Sequence, residues 1–249
     1  MSTSTGKKGI LGVPASSIAL LAAVTAAFQL IPFSVVLGPG TSFPLSLAIH
    51  SLIGVLLGPA AGGLTVLIGS TIGIMIAPHT AFLGPFTVLV VALGAVVGGL
   101  IASGRAHIAG FYLIGAGCLW IVLYYALLGA PQNLIVLFYP WRYFLPGVLL
   151  LIPQLNKKVI LMLQSEKRWQ LAVAYCYVAW ISSQADHTVS SILGNEILYQ
   201  LPEEVWTALM IAIVGAERGV LALVATVIGT GVILGLRNMG TKIYGIKTQ

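Results

Sequence analysis

The chain is written in long apolar runs, broken by Gly, Pro and short polar clusters rather than by alternating polar residues. Runs of this kind predict bilayer-crossing helices, because a hydrocarbon core of about 30 Å takes roughly 20 apolar residues at the helical rise. The lack of alternation argues against a barrel, whose strands turn every second side chain to lipid. Eight runs qualify as spans: 14–36, 44–57, 60–77, 85–102, 108–128, 144–163, 171–193 and 205–236. The second is short, the last is long for one crossing, and the sixth contains Pro153, Asn156 and two lysines. The expected fold is therefore all-α: a polytopic transmembrane helical bundle of six to eight spans, in a single integral membrane domain over residues 1–249.

Composition strengthens that expectation. Apolar residues make up 58% of the chain and charged residues 7%, with a mean hydropathy of +1.02. A soluble surface needs about a quarter charged residues. The charges also carry an orientation. If the N-terminus is cytoplasmic, Lys7, Lys8, Arg105, Lys157, Lys158, Lys167, Arg168, Arg237, Lys242 and Lys247 all fall inside, ten of the twelve basic residues. Positive-inside bias then predicts an even number of spans, both termini cytoplasmic, and a multi-pass place in the cell membrane. The net charge of +6 is explained by topology and not by nucleic-acid binding. "MSTSTGKKGI" lacks a signal-peptide cleavage pattern, so the first run is expected to stay as a helix. Cys118 and Cys176 lie in apolar runs and read as inert core residues.

Some functions lack their motifs. No GxxxxGK[ST] phosphate loop is present, and the hydrophilic stretch Asn156–Gln170 is too short for an ATPase, so ATP-driven work would need a partner. HExxH is absent, "IGSTIG" around Ser70 has no marked catalytic partner, and the histidines show no H-x-x-x-H pairing. No cofactor or metal is expected, and an integral membrane enzyme is the weaker alternative.

Small residues recur at helical spacing. Ala15, Ala19, Ala23 and Ala27 repeat every fourth position, with Ala22 and Ala26 widening the surface. Such a row serves either close packing inside the bundle or docking of another membrane subunit. Gly54, Gly58 and Gly62 repeat likewise around Pro59 and predict a tight helical hairpin. The pairs Gly94/Gly98, Gly215/Gly219 and Gly231/Gly235 read mainly as close packing.

The alanine-striped first run, the loop "GPGTSF", and "PLSLAIHSLIGVLLGPAAGGLTVLIGS" with its "LLGP" turn resemble the substrate-binding S component of an energy-coupling factor (ECF) transporter. The likeness covers the first hundred residues best, and "PEEVWTALMIAIVGAERGVLALVATVIGTGVILGLR" is similar to the last helix of such proteins. The resemblance implies capture of a vitamin or vitamin-like small metabolite from outside, and delivery through a transmembrane T component driven by two cytoplasmic ATPases. It implies partner docking at Ala15, Ala19 and Ala23, and a pocket near the outer face capped by Leu37–Phe43 and His79–Pro85. The chain departs from the family in having a surplus pair of spans, expected within Ile108–Leu163. It also lacks the near-N-terminal histidine of the cobalt and nickel members.

Polar residues inside the apolar runs are the candidate substrate-binding residues. Ser182, Asp186 and Ser190 share one helical row, and Ser183, His187 and Ser191 the next, with Asn195 at the outer mouth. Lipid does not tolerate such a stripe, so it faces the bundle or a water-filled cavity. Glu217 and Arg218 lie in the last run, and the simplest arrangement pairs Arg218 with Asp186 and Glu217 with His187 or a ligand. A structural ion pair and a ligand site both fit. His79 is either a pocket cap or a solvated loop residue. His50 reads as a core histidine bonded to a backbone carbonyl, and His107 as a surface residue. In "FYPWRYF", Tyr139, Trp141 and Tyr143 suit a membrane-interface belt, or a lid over a flat ring with Arg142 meeting an anionic group; Trp206 is equally ambiguous. Together these groups suit a zwitterionic or ring-bearing metabolite. The main alternative is a stand-alone secondary transporter, although only one Gly/Pro-broken hairpin is evident where such carriers show paired repeats.

Overall fold

The computed structural model describes residues 9–35, 42–131, 138–198 and 208–246, without the side chains of 34, 35, 42, 194–196, 198 and 208–214. These residues form an all-α bundle with one small hairpin. The helices are α1 (Ala15–Gln29), α2 (Leu47–Leu57), α3 (Pro59–Ile76), α4 (Thr87–Ala102), α5 (Ala106–Leu128), α6 (Trp141–Leu150), α7 (Pro153–Gln164), α8 (Arg168–Ser190) and α9 (Ala208–Asn238). Strands β1 (Pro32–Val35) and β2 (Ser42–Pro44) pair antiparallel between α1 and α2. A single main core cluster draws on every helix except α6's outer turn, from Ile18 of α1 to Ile233 of α9.

Among the described residues, four helices or helical stretches are long and apolar enough to cross a membrane: Pro59–Ile76, Gly84–Ala102, Ala106–Leu128 and Gly215–Asn238. Their outer faces carry large exposed apolar side chains, among them Met75, Leu89, Phe111, Val122, Leu223 and Val227. Helix α8 is long enough but too polar to qualify by composition. It lies instead against α4, α9, α7, α2 and α6, and thirteen of its side chains are buried. The polar stripe is thereby covered by protein.

Glycine sets how closely the first helices approach. A Cβ on Gly54 would lie 1.9 Å from the Ala95 carbonyl oxygen of α4, and one on Gly62 would lie 2.7 Å from Gly54 Cα. Gly69 meets Ala22 in the same way, and Gly73 meets Gln29 and Ala26, so α1 lies directly on α3. Gly58, at φ +86°, makes the turn that lets α3 begin at Pro59. In α9 the packing expectation fails among the described residues: Gly215, Gly219, Gly231 and Gly235 have none of them within contact distance of a Cβ.

Several spans differ from their expected form. The first helix stops at Gln29 and the chain turns into β1 (Pro32–Val35); beside the hairpin, Leu45 N–H donates to the Ile31 carbonyl at 2.8 Å. The sixth, expected as one run over 144–163, is two helices bent by 79°. Ile152 is extended and Pro153 opens α7, so the hydrogen-bond ladder cannot continue. Asn156 Nδ2 donates to the freed Leu150 carbonyl at 2.6 Å. Helix α7 buries Asn156, Val159 and Leu163 and exposes Lys157 and Lys158, the pattern of a helix lying along a surface. Cys118 is exposed on α5 and Cys176 partly so, not core residues as expected.

The two ends of the bundle are chemically different. Arg237 donates to the carbonyls of Ser165 (2.9 Å) and Leu163, tying the end of α9 to the α7–α8 turn. Tyr244 and Gly245 N–H donate to the Leu56 carbonyl at 2.8 and 3.1 Å, bringing the C-terminal tail onto the α2–α3 turn. Arg105, Lys157, Lys158, Lys167, Arg168 and Lys242 share that basic end. The β hairpin, the turns at Pro78–Phe86, and the start of the π-helical turn Ser191–Leu198 form the other.

Candidate functional site

The stripe on α8 organises the site. Helices α4 and α8 cross where α4 carries glycine. A Cβ on Gly94 would sit 3.4 Å from Asp186 Oδ2, and one on Gly98 would sit 3.1 Å from Ser182 Oγ. Larger residues would push the stripe away. Asp186 Oδ1 accepts from Arg218 Nη1 of α9 at 3.2 Å, and both side chains are almost fully buried. Arg218 and Asp186 therefore pair as the simplest arrangement expected. Glu217 is half-buried and acts electrostatically on Asp186. Where the sequence suggested Glu217 for His187, or for a ligand, His187 Nδ1 shares a 3.2 Å hydrogen bond with the Tyr143 hydroxyl.

Two segments roof the ion pair. Phe43 of β2 lies under the Arg218 guanidinium, 5.2 Å from its ring centre, and meets Phe82 edge-on at 5.0 Å. Ser46 donates to Gln29 Oε1 and Gln29 Nε2 donates to Thr80 Oγ1, both at 2.7 Å, joining α1, the start of α2 and the turn after α3. The expected caps thus meet through Phe43, Thr80 and Phe82. His79 does not take part and faces outward. Residues 37–41 lie outside the described residues, as does Trp206.

Beside the ion pair lies an aromatic cluster. Trp120 and Tyr124 of α5, Tyr139, and Tyr143 of α6 are buried together, with Trp120 stacked between Tyr124 (5.2 Å) and Tyr139 (5.1 Å). Tyr139 and Tyr143 are therefore not an interface belt. Trp141 alone, 41% exposed, has the position that expectation gave all three. Tyr139 shares a 3.0 Å hydrogen bond with Ser191 in the π-helical turn Ser191–Leu198. Arg142 is 1% exposed; its Nη2 donates to Gln184 Oε1 at 3.2 Å, and its guanidinium lies 5.4 Å from the Tyr139 ring centre.

Of the predicted residues, Asp186, His187, Arg142 and Arg218 come together, with Glu217 at the margin. Ser190 turns back to donate to the His187 carbonyl at 2.9 Å. Asn195 lies on the π-helical turn, its side chain outside the described residues. Gln184, Tyr139 and Tyr143 are the site residues that sequence reasoning missed or misplaced. The four-residue spacing of Tyr139 and Tyr143, with Trp141 between them, was the available signal for an inward pair and an outward single residue.

His50 is 1% exposed and neither ring nitrogen has a hydrogen-bond partner among the described residues, where a bond to a carbonyl was expected. It lines a cavity of about 10 Å³ with Ser51, Ser182 and Asp186, and Ser182 Oγ is equally unpartnered. A more open cavity of about 370 Å³ lies at the basic end, in the elbow between α6 and α7, and is lined by His107, Asn156 and Lys157. It is remote from the α8 stripe. Among the described residues no group of His, Cys, Asp and Glu could hold a metal ion.

The alanine row on α1 divides by face. Ala22 and Ala26 are buried against α3, whereas Ala15, Ala19, Ala23 and Ala27 are exposed. Compared with protein-family models, curated proteins and solved structures, the chain has no match.

Proposed function

We propose that this chain is an integral membrane protein of the cell membrane that acts as the substrate-binding S component of an ECF-type importer. It captures a vitamin-like small metabolite at the outer face and delivers it through a T component and two cytoplasmic ATPases. On this reading an even number of spans, six to eight, keeps both termini on the cytoplasmic side with the basic end. The observation that carries the reading is the buried group Arg142, Asp186, His187 and Arg218 under two roofing segments at the non-basic end. Ionisable groups so placed in an apolar bundle are costly, and substrate sites are where membrane proteins keep them. The exposed row Ala15, Ala19 and Ala23 supports the second half of the reading, a smooth face for another membrane subunit.

The test is reconstitution into liposomes. The chain alone is expected to bind but not to accumulate substrate, and uptake is expected to need ATP and a co-reconstituted ATPase module. Uptake by the chain alone under an ion gradient overturns the reading. It would favour a stand-alone carrier, the reading for which the unpartnered His50 beside Asp186 speaks, since buried ionisable groups in series are the parts of a proton relay.

A further inference from the structure

Resting on the reading of this cluster as a substrate site, we propose that Arg142 is the anchor for the anionic group of the substrate, so that the metabolite is a small organic carboxylate. The argument begins with charge. The bundle buries two guanidinium groups, Arg142 and Arg218, and only Arg218 has a carboxylate, Asp186, within ion-pair distance among the described residues. Arg142 has one neutral partner, Gln184, while its Nε and Nη1 have no acceptor although the side chain is 1% exposed. A buried guanidinium without a counter-charge is strongly disfavoured, and a guanidinium is the side chain that best fits a planar carboxylate.

The surroundings add a second element. The open donors lie in a cluster of aromatic rings: Tyr139 under the guanidinium, Trp120 stacked on Tyr139, and Tyr143 edge-on at 6.0 Å. These rings are buried and the Tyr139 and Tyr143 hydroxyls are tied to Ser191 and His187, so the surroundings of the open donors are apolar and the arginine supplies the charge. Gln184 precedes Asp186 by two residues on α8, so an anion drawn to Arg142 also bears on the helix that holds the ion pair.

The test uses the full chain in detergent. Wild type and Arg142→Gln are purified in parallel from the same cells, and the small molecules they retain are extracted and identified by negative-ion mass spectrometry. An organic carboxylate retained by wild type and reduced tenfold or more in Arg142→Gln is expected. Equal retention by both, or a retained ligand that is neutral or cationic, overturns the proposal. In ligand-free protein, Arg142→Met is expected to melt at the wild-type temperature or above, because it removes an uncompensated charge. A loss of more than about 5 °C, well over a kcal/mol for a chain this size, identifies a structural arginine and also overturns it. Where wild type retains nothing, benzoate must raise its melting temperature more than benzamide does, and must fail to do so in Arg142→Met; no difference overturns the proposal. None of these measurements involves transport. If uptake proves independent of ATP while carboxylate retention depends on Arg142, the importer reading falls and this one stands.

Discussion

Asp186 and Arg218 are worth more as a pair than either is alone. Both are buried 3.2 Å apart, so removing one leaves the other charged in an apolar surrounding. Asp186→Asn is expected to cost about 3–5 kcal/mol, read as a fall in melting temperature in detergent. The double substitution Asp186→Leu with Arg218→Met is expected to cost clearly less than the sum of its two single changes. Additive losses would show that the two side chains are energetically independent. Two features of this pair could be anticipated from residue type and spacing. Asp186 had to face inward because lipid would not accept it, and a basic residue on another apolar run was its natural partner. The link from His187 to Tyr143 was not legible, because it depends on how α6 lies beside α8, and no local pattern encodes that.

At the scale of helices, small residues act in two opposite ways. Gly54 is enclosed by the Ala95 carbonyl, so Gly54→Ala forces α2 and α4 apart and is expected to cost about 1–3 kcal/mol, an overpacking penalty measurable by thermal unfolding. Gly231 has open space around it, and Gly231→Ala is expected to leave stability the same or raise it by up to about 1 kcal/mol. The alanines of α1 make the same division within one helix. Ala19 is exposed, so Ala19→Leu should leave the melting temperature within about 2 °C of wild type while lowering uptake in the presence of the partner subunits. A large loss of stability would mean that the row packs within the bundle. Periodicity located all of these positions but ranked them poorly. It placed Ala22 on the same surface as Ala19, whereas Ala22 is enclosed by Gly69 and Ala19 is bare. A four-residue repeat marks a smooth face without saying whether a neighbour within the chain already covers it.

For the whole molecule, the prediction concerns sidedness. In a chain with Cys118 and Cys176 replaced by serine, single cysteines at Arg105, Lys157 and Lys242 should react with an impermeant maleimide only after the membrane is opened from the cytoplasmic side. A cysteine at His79 should react from outside in intact cells. Reaction of His79 and Lys242 positions from the same side would remove the even-span topology. The physical basis is already visible in the fold: the tail returns to the α2–α3 turn through Tyr244 and Gly245, and Arg237 fixes α9 to the α7–α8 turn.

Helix-forming runs, their approximate ends, the basic asymmetry between the two ends and the burial of Asp186 all follow from the sequence by itself. Each is set by local composition or by the cost of a charge in hydrocarbon, and neither needs a partner to be specified. The 79° elbow after Leu150, the burial of Tyr139 and Tyr143 while Trp141 stays outside, and the lack of a counter-group for Arg142 and His50 among the described residues were decided only by tertiary structure. These depend on which helix lies against which, and in an apolar bundle many faces are nearly equal in hydrophobicity. Close fits at a few glycines and the pairing of a few polar groups select one arrangement, and those contacts join residues far apart in the chain.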